Sequence, residues 1–295
     1  MKRIILFTAT NLAIVAVLAL LASLLGVDRW LTAQGINWTF LLVFSLLIGF
    51  GGAFISLAIS KWMAIHAYRI RVIRQPGDST ERWLYDTVRD LSQRAGIGMP
   101  DVGIYDSPET NAFATGARRN NALVAVSTGL LNNMRAPEVE GVLAHEVAHV
   151  ANGDMVTMTL LQGVLNTFVV FLSRVLGFVI DAALRRGDSR GGLGIGYFVG
   201  SFVAQILLGF LAMLIVMAYS RRREFRADAM GAQLAGKADM LSALRRLKLI
   251  MENRGVIDDR AASLSAMKIS NKTGYLFASH PPLEKRIEAL ERARI

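Results

Sequence analysis

The chain has 295 residues, 53% of them apolar and only 19% charged, and its mean hydropathy of +0.40 is too high for an ordinary soluble domain. It contains no cysteine, which excludes disulfides and thiolate ligands, so any transition metal must rest on His, Glu or Asp. The net charge of +10 does not indicate nucleic acid: the basic residues gather where apolar runs end (Lys2 and Arg3; Lys61, Arg69, Arg71 and Arg74; Arg221, Arg222 and Arg223), and no aromatic-basic stacking segment accompanies them.

A bilayer core needs about 20 consecutive apolar residues per helix. Four runs meet that length: Ile4 to Leu25, Trp38 to Ser60, Met155 to Ile180 and Tyr197 to Tyr219. The first is longer than the apolar region of a signal peptide and lacks a small-x-small cleavage pattern, so it is predicted to be an uncleaved span. The third contains Arg174 and is followed by Asp181, charges that are costly at membrane depth unless they snorkel, pair or line a cavity. The lipid bilayer is therefore an expected partner, and the sequence predicts a mainly α membrane protein with a small β element.

Between the second and third spans the chain turns polar, with Pro76, Gly77 and Asp78 as a boundary. Asp78 followed by Glu81 fits a capping box, and Trp83, Leu84, Val88 and Leu91 recur at helical spacing, which predicts a helix over Ser79 to Arg94. Gly96, Gly98 and Pro100 stop it. Val102 to Tyr105 and Ala112 to Ala117 read as short strands; Arg118 to Asn121 is a turn, and Leu123 to Val126 returns as a partner strand. Pro137 then suits a first helical turn, Glu138 and Glu140 favour its positive end, and Asn152 and Gly153 end it. The third and fourth spans form a hairpin around a Gly-, Arg- and Ser-rich connector, Leu184 to Gly196. Helices are expected again over Ala238 to Glu252 and Pro282 to Arg294.

His145-Glu146-Val147-Ala148-His149 lies within the helix that starts at Pro137. Residues four apart on a helix share a face, so both imidazoles can reach one ion. Two His at this spacing with an intervening Glu is the zinc-peptidase arrangement, in which Glu146 handles the protons of the attacking water. With four His in the chain, the motif would arise by accident roughly 0.002 times per such sequence. A structural alternative makes one His a bundle bridge and the other a core residue. A catalytic zinc takes a third protein ligand. Glu224 and Asp228, four apart on another expected helix, are candidates, Glu224 to ligate and Asp228 to accept a hydrogen bond from a ligand imidazole. Taken by themselves they read rather as surface charges answering Arg221 to Arg226. The two spans between His149 and Glu224 would, however, return both to the same membrane face.

Taken together, the two N-terminal spans, Asn111 to Gly116, the His145 motif extended to Asp154, the apolar hairpin, Glu224 to Asp228 and Ser279-His280-Pro281 resemble the HtpX family of bacterial inner-membrane zinc metalloproteases, relatives of the CAAX prenyl proteases. The resemblance covers essentially the whole chain. It implies a zincin-like (gluzincin) metallopeptidase domain attached to about four transmembrane helices: an anchor over residues 1–74, the first half of the peptidase over 75–154, a transmembrane or re-entrant hairpin over 155–220, and the second half over 221–295. It implies one zinc ion per chain, held by His145, His149 and Glu224, with Asp228 and Asp154 as hydrogen-bonding partners behind the ligands. It makes Glu146 the general base, His280 and Arg286 donors to the carbonyl oxyanion, and Asn111, Ala112, Phe113 and Ala114 an edge strand that pairs with substrate. By itself His280 reads as a helix-start residue before Pro281 and Pro282.

The activity that the resemblance implies is that of a zinc-dependent endopeptidase hydrolysing misfolded or damaged membrane proteins and unfolded polypeptides. Its catalytic domain is expected to face the cytoplasm from the inner membrane, because Lys and Arg near span ends stay inside. Arg185, Arg186 and Arg190 oppose that rule in the hairpin connector, so the hairpin either crosses despite its charge or is shallow. Two rivals remain. A zinc scaffold or transporter has no use for a base at Glu146, and a prenyl-protein peptidase would need more enclosed intramembrane volume than so short a chain offers.

Overall fold

The computed structural model describes residue 23 and residues 37–185, 193–257 and 280–294. Apart from Ser23, the predicted span Ile4 to Leu25 lies outside these residues, as do Arg186, Arg190 and Ser279. In chain order the elements are α1 (Trp38–Ala67), β1 (Arg71–Val72), α2 (Ser79–Arg94), β2 (Asp101–Tyr105), β3 (Ala112–Thr115), a 3-10 turn (Arg119–Asn121), β4 (Leu123–Ser127), α3 (Thr128–Asn133), α4 (Ala136–Asn152), α5 (Asp154–Arg185), α6 (Ile195–Ala235), α7 (Lys237–Ile257) and α8 (Leu283–Arg292). The chain divides into two compact units, one drawn from Met1–Ile55 and Met158–Val216, the other from Ser56–Thr157 and Met217–Ile295.

The first unit is built from α1, α5 and α6, the three described helices long and apolar enough to cross a membrane. Its small core joins Leu41, Leu42 and Phe50 of α1 to Phe171 and Val175 of α5. Glycine permits the close approach: a Cβ at Gly163 would collide with the Phe50 ring, and one at Gly177 with Ser201. Most large apolar side chains of this unit point outward, as a lipid solvent requires. Asp181, a costly charge at membrane depth, is buried and accepts the N–H groups of Gly194 and Tyr197 at 3.0 and 3.3 Å. It therefore caps the start of α6, where the Tyr197 N–H is shared with the Gly194 carbonyl at 3.1 Å.

The second unit holds a four-stranded sheet in the order β1-β2-β4-β3. β2 runs parallel to β4, while β3 pairs antiparallel with β4 in the register Phe113↔Ala125, so β3 is an edge. α2 covers the predicted residues, and the Asp78 side chain accepts the Glu81 N–H at 2.8 Å. Glu81 in turn accepts from Gly77 N–H and pairs with Arg71 of β1. α4 begins one residue before Pro137, and Glu138 accepts the Arg135 N–H at 2.8 Å. It ends at Gly153, whose left-handed φ of 69° a side chain would disfavour. Its apolar positions, Leu143, Ala144 and Val147, pack on Val102, Val124 and Val126 of the sheet. With that face committed to the core, the opposite stripe can carry polar groups.

Candidate metal centre

Three helices bring the polar groups together. α4 supplies His145, Glu146 and His149; the C-terminal part of α6 supplies Glu224 and Asp228; α8 supplies Arg286, with His280 just before it. Two glycines set the spacing. A Cβ at Gly231 of α6 would stand 3.2 Å from the His145 backbone nitrogen, and one at Gly141 of α4 would stand 2.8 Å from the Asp239 carbonyl oxygen. α6 and α7 therefore lie against α4 at backbone distance.

His145, His149 and Glu224 are all buried, and one ligand atom from each lies within 4.8 Å of the others. The two Nε2 atoms are 3.1 Å apart, and each is 3.4 Å from a Glu224 carboxylate oxygen. On the far side of each ring, Nδ1 faces a carboxylate: Asp228 at 2.9 Å from His145 and Asp154 at 2.6 Å from His149. A carboxylate can only accept, so each Nδ1 carries a proton, and a neutral ring then presents its Nε2 lone pair. Two lone pairs and a fully buried carboxylate thus converge on one point; Glu224 Oε1 makes no hydrogen bond there, the Arg223 Nε standing at 3.6 Å. Such a group of acceptors is repulsive unless a cation or a proton joins it. Donors around a tetrahedral ion with bonds of about 2.0–2.1 Å stand about 3.3 Å apart, and zinc fits this triangle in both chemistry and spacing.

A proton on His149 can take the place of that cation. Burial pulls the His149 imidazole down, but the Asp154 and Glu224 carboxylates outweigh it and raise the group to about 9. Arg226 stands 3.4 Å from the other oxygen of Asp154.

Arg286 is buried and grips Asp228 with two hydrogen bonds, Nε to Oδ2 at 2.8 Å and Nη2 to Oδ1 at 2.6 Å. Its Nη1, 3.6 Å from Glu224 Oε2, is not used by Asp228. His280 is exposed on one side and donates through Nδ1 to Glu224 Oε2 at 2.7 Å. Glu146, half-buried, lines a cleft of about 110 Å³ together with Asn111, Ala112, His145, Glu224, His280 and Arg286. Of the predicted strand residues, Asn111 and Ala112 border this cleft, whereas Phe113 packs on the other face of the sheet against Tyr105.

Sequence reasoning passes over the apolar wall of the cleft, formed by Leu130 and Val142 with Met240, Leu244 and Leu247 of α7. The available signal is the i, i+4, i+7 spacing of Met240, Leu244 and Leu247, which reads as an ordinary core stripe until Gly141 is seen to admit α7 against α4.

The chain is similar to known proteins in sequence and in fold. Residues 78–294 match the model of peptidase family M48. The chain is 58% identical to a protein named Protease HtpX homolog from Methylacidiphilum infernorum, over 99% of this chain and 98% of that one. It is 57% identical to a namesake from Nitrosomonas europaea, over 99% and 100%, and 54% identical to Protease HtpX of Thioalkalivibrio sulfidiphilus, over 99% of each. In fold it is similar to the crystal structure of S. mikatae Ste24p, with a TM-score of 0.58 at 20% identity, covering 96% of this chain and 66% of that one.

Proposed function

Since the chain belongs to peptidase family M48, as an HtpX protease, we propose that it is a zinc-dependent endopeptidase in which His145, His149 and Glu224 hold one zinc ion. The observation that carries this reading is the convergence of two Nε2 lone pairs and a buried carboxylate at 3.1 to 3.4 Å, which calls for a cation. A zinc ion held there would supply a Lewis acid, lowering the pKa of water and polarising a peptide carbonyl.

The chain's own residues do the rest. Asp228 and Asp154 keep the two imidazoles in the tautomer that offers Nε2 inward, and Arg286 holds Asp228 by its two-point grip. Glu146 removes a proton from the attacking water and returns it to the leaving amine. The Nη1 of Arg286 donates to the developing oxyanion, and so does His280 after its Nδ1–H turns from Glu224 Oε2 toward the cleft. The open edge of β3 takes an extended polypeptide through main-chain hydrogen bonds, a mode largely indifferent to sequence. That tolerance, joined to three helices apolar enough to cross a membrane, supports misfolded or damaged membrane proteins as substrates. The basic residues at Lys61 to Arg74 and Arg221 to Arg223 support a cytoplasmic catalytic unit on the bacterial inner membrane.

Glu146→Gln separates chemistry from metal binding. The variant should retain about one zinc per chain while kcat on an unfolded casein-type substrate falls by about 10²- to 10⁴-fold. Substantial residual hydrolysis would remove Glu146 as the base.

A further inference from the structure

The edge strand that borders the metal-side cleft has a second face, and that face carries a pocket of its own. Asn111 is tied to β4 by Ser127 N–H to Asn111 O at 3.0 Å. In an antiparallel ladder the residues that bond the neighbour alternate with residues whose N–H and C=O point away. Asn111, Phe113 and Thr115 therefore turn their main-chain groups to β4, while Ala112 and Ala114 offer theirs to the open edge. Side chains alternate as well: Ala112 and Ala114 pack on the helical layer with Val142 and Leu143, and Phe113 packs on the opposite face with Tyr105 and Ile70. A polypeptide paired to this edge must send successive side chains to opposite faces of the sheet.

On that opposite face lies a pocket of about 360 Å³, bordered by Tyr68, Arg69, Tyr105, Asp106, Glu109 and Asn111. Asn111 borders the metal-side cleft too, so the two cavities meet the same end of β3 from its two sides. The pocket has an aromatic wall. The Tyr68 ring, with Tyr68 54% exposed, packs at a tilt against Tyr105 at 5.4 Å and Phe113 at 5.3 Å. Tyr105 is 4% exposed and forms the buried side of that wall. Two carboxylates, Asp106 and Glu109, outnumber the one guanidinium of Arg69 at the rim.

We infer that this pocket is a specificity subsite that takes a basic side chain of the substrate, next in sequence to the residue that enters the metal-side cleft. A lysine or arginine there lays its alkyl stem along Tyr68, meets the aromatic face as a cation, and ends between Asp106 and Glu109. The inference rests on the proposed peptidase reading and on strand pairing at β3.

The full chain, purified in detergent with zinc, is given quenched-fluorescent peptides that carry lysine, norleucine or glutamate at each position around the scissile bond. At one position, an odd number of residues from the site of apolar preference, kcat/KM for lysine should exceed that for glutamate by about tenfold, with norleucine between them. In D106N/E109Q the lysine-to-norleucine ratio measured within that variant should fall toward one. The amide introduced by Asp106→Asn still offers an acceptor to Thr128 Oγ1, which bonds Asp106 at 3.0 Å, so the loop keeps its tie. Equal cleavage of all three peptides, a preference for glutamate, or a lysine preference untouched in D106N/E109Q would each overturn the subsite. Those results leave the peptidase standing, provided cleavage occurs and Glu146→Gln abolishes it. If no peptide is cleaved, or Glu146→Gln cleaves them all as before, it is the peptidase reading that fails.

Discussion

Along α6 the rule for what is buried reverses. In its first part Phe202 is 66% exposed and Leu207 62% exposed, whereas further on Glu224 is 0% and Asp228 2% exposed. At about 1.5 Å rise per residue the helix is about 60 Å long, so it can exceed a hydrocarbon core of about 30 Å and carry a polar end beyond it. Apolar side chains facing outward are stable only where the solvent is itself apolar. Buried carboxylates are stable only where cationic or donor groups surround them. The same backbone serves two solvents, and the change from exposed apolar to buried acidic residues marks where the membrane reading gives way to the metal reading.

That contrast can be broken by one kind of substitution made in both settings. Leu244→Ala, at a side chain 1% exposed in the catalytic unit, should cost about 2–5 kcal/mol on unfolding of the detergent-solubilised protein. Leu207→Ala removes a side chain that packs little against protein and should cost about 0.5 kcal/mol or less. Equal losses would mean that the outward face of α6 is covered by protein rather than lipid. Next in size, Asp228→Ala takes away the carboxylate behind His145 and the anchor of Arg286, and zinc affinity should fall about 10- to 100-fold in a chelator competition.

The pH dependence sharpens the polar side of the comparison. The His149 pKa rises from 6.5 to about 9 on folding without metal. Its contribution to metal-free stability is therefore fully present below about pH 6.5 and is lost as pH rises through about 9. Zinc needs the neutral ring, so metal binding displaces that proton, and affinity should climb about tenfold per pH unit up to about pH 9. Calorimetry in buffers of different ionisation enthalpy reads the proton directly; no proton released at pH 7 would exclude a protonated His149. A modest effect belongs to the apolar unit: Asp181→Ala should cost about 1 kcal/mol through lost capping of α6 and leave zinc content unchanged.

Local signals are legible in the sequence because their causes are local. Asp78 and Glu81 start α2 within one turn, Gly153 ends α4 through its own φ, and His145 and His149 share a face by helix period alone. What escapes depends on distant chain. The parallel pairing of β2 with β4 and the two-residue strand β1 have no signature within their own segments, since their partners lie elsewhere. The short α3 starts because the Ser127 hydroxyl accepts the Leu130 N–H at 2.9 Å, a cap hidden among strand residues. Asp181 reads as a misplaced charge until Gly194 and Tyr197 are folded back onto it. Glu224 is ambiguous in sequence for a related reason: among Arg221, Arg222, Arg223 and Arg226 it looks like a surface acid, and only the packing of α6 on α4 shows it wholly buried against two imidazoles.

The central claim is that one zinc ion is shared between His145 and His149 across a single helical turn. Metal analysis of the purified full chain beside His149→Ala, with circular dichroism to establish that both are folded, tests it most directly. About one zinc per chain in the wild type and less than about one tenth in the folded variant is the expected result. Equal zinc in both proteins, or none in a folded wild type supplied with the metal, would contradict it.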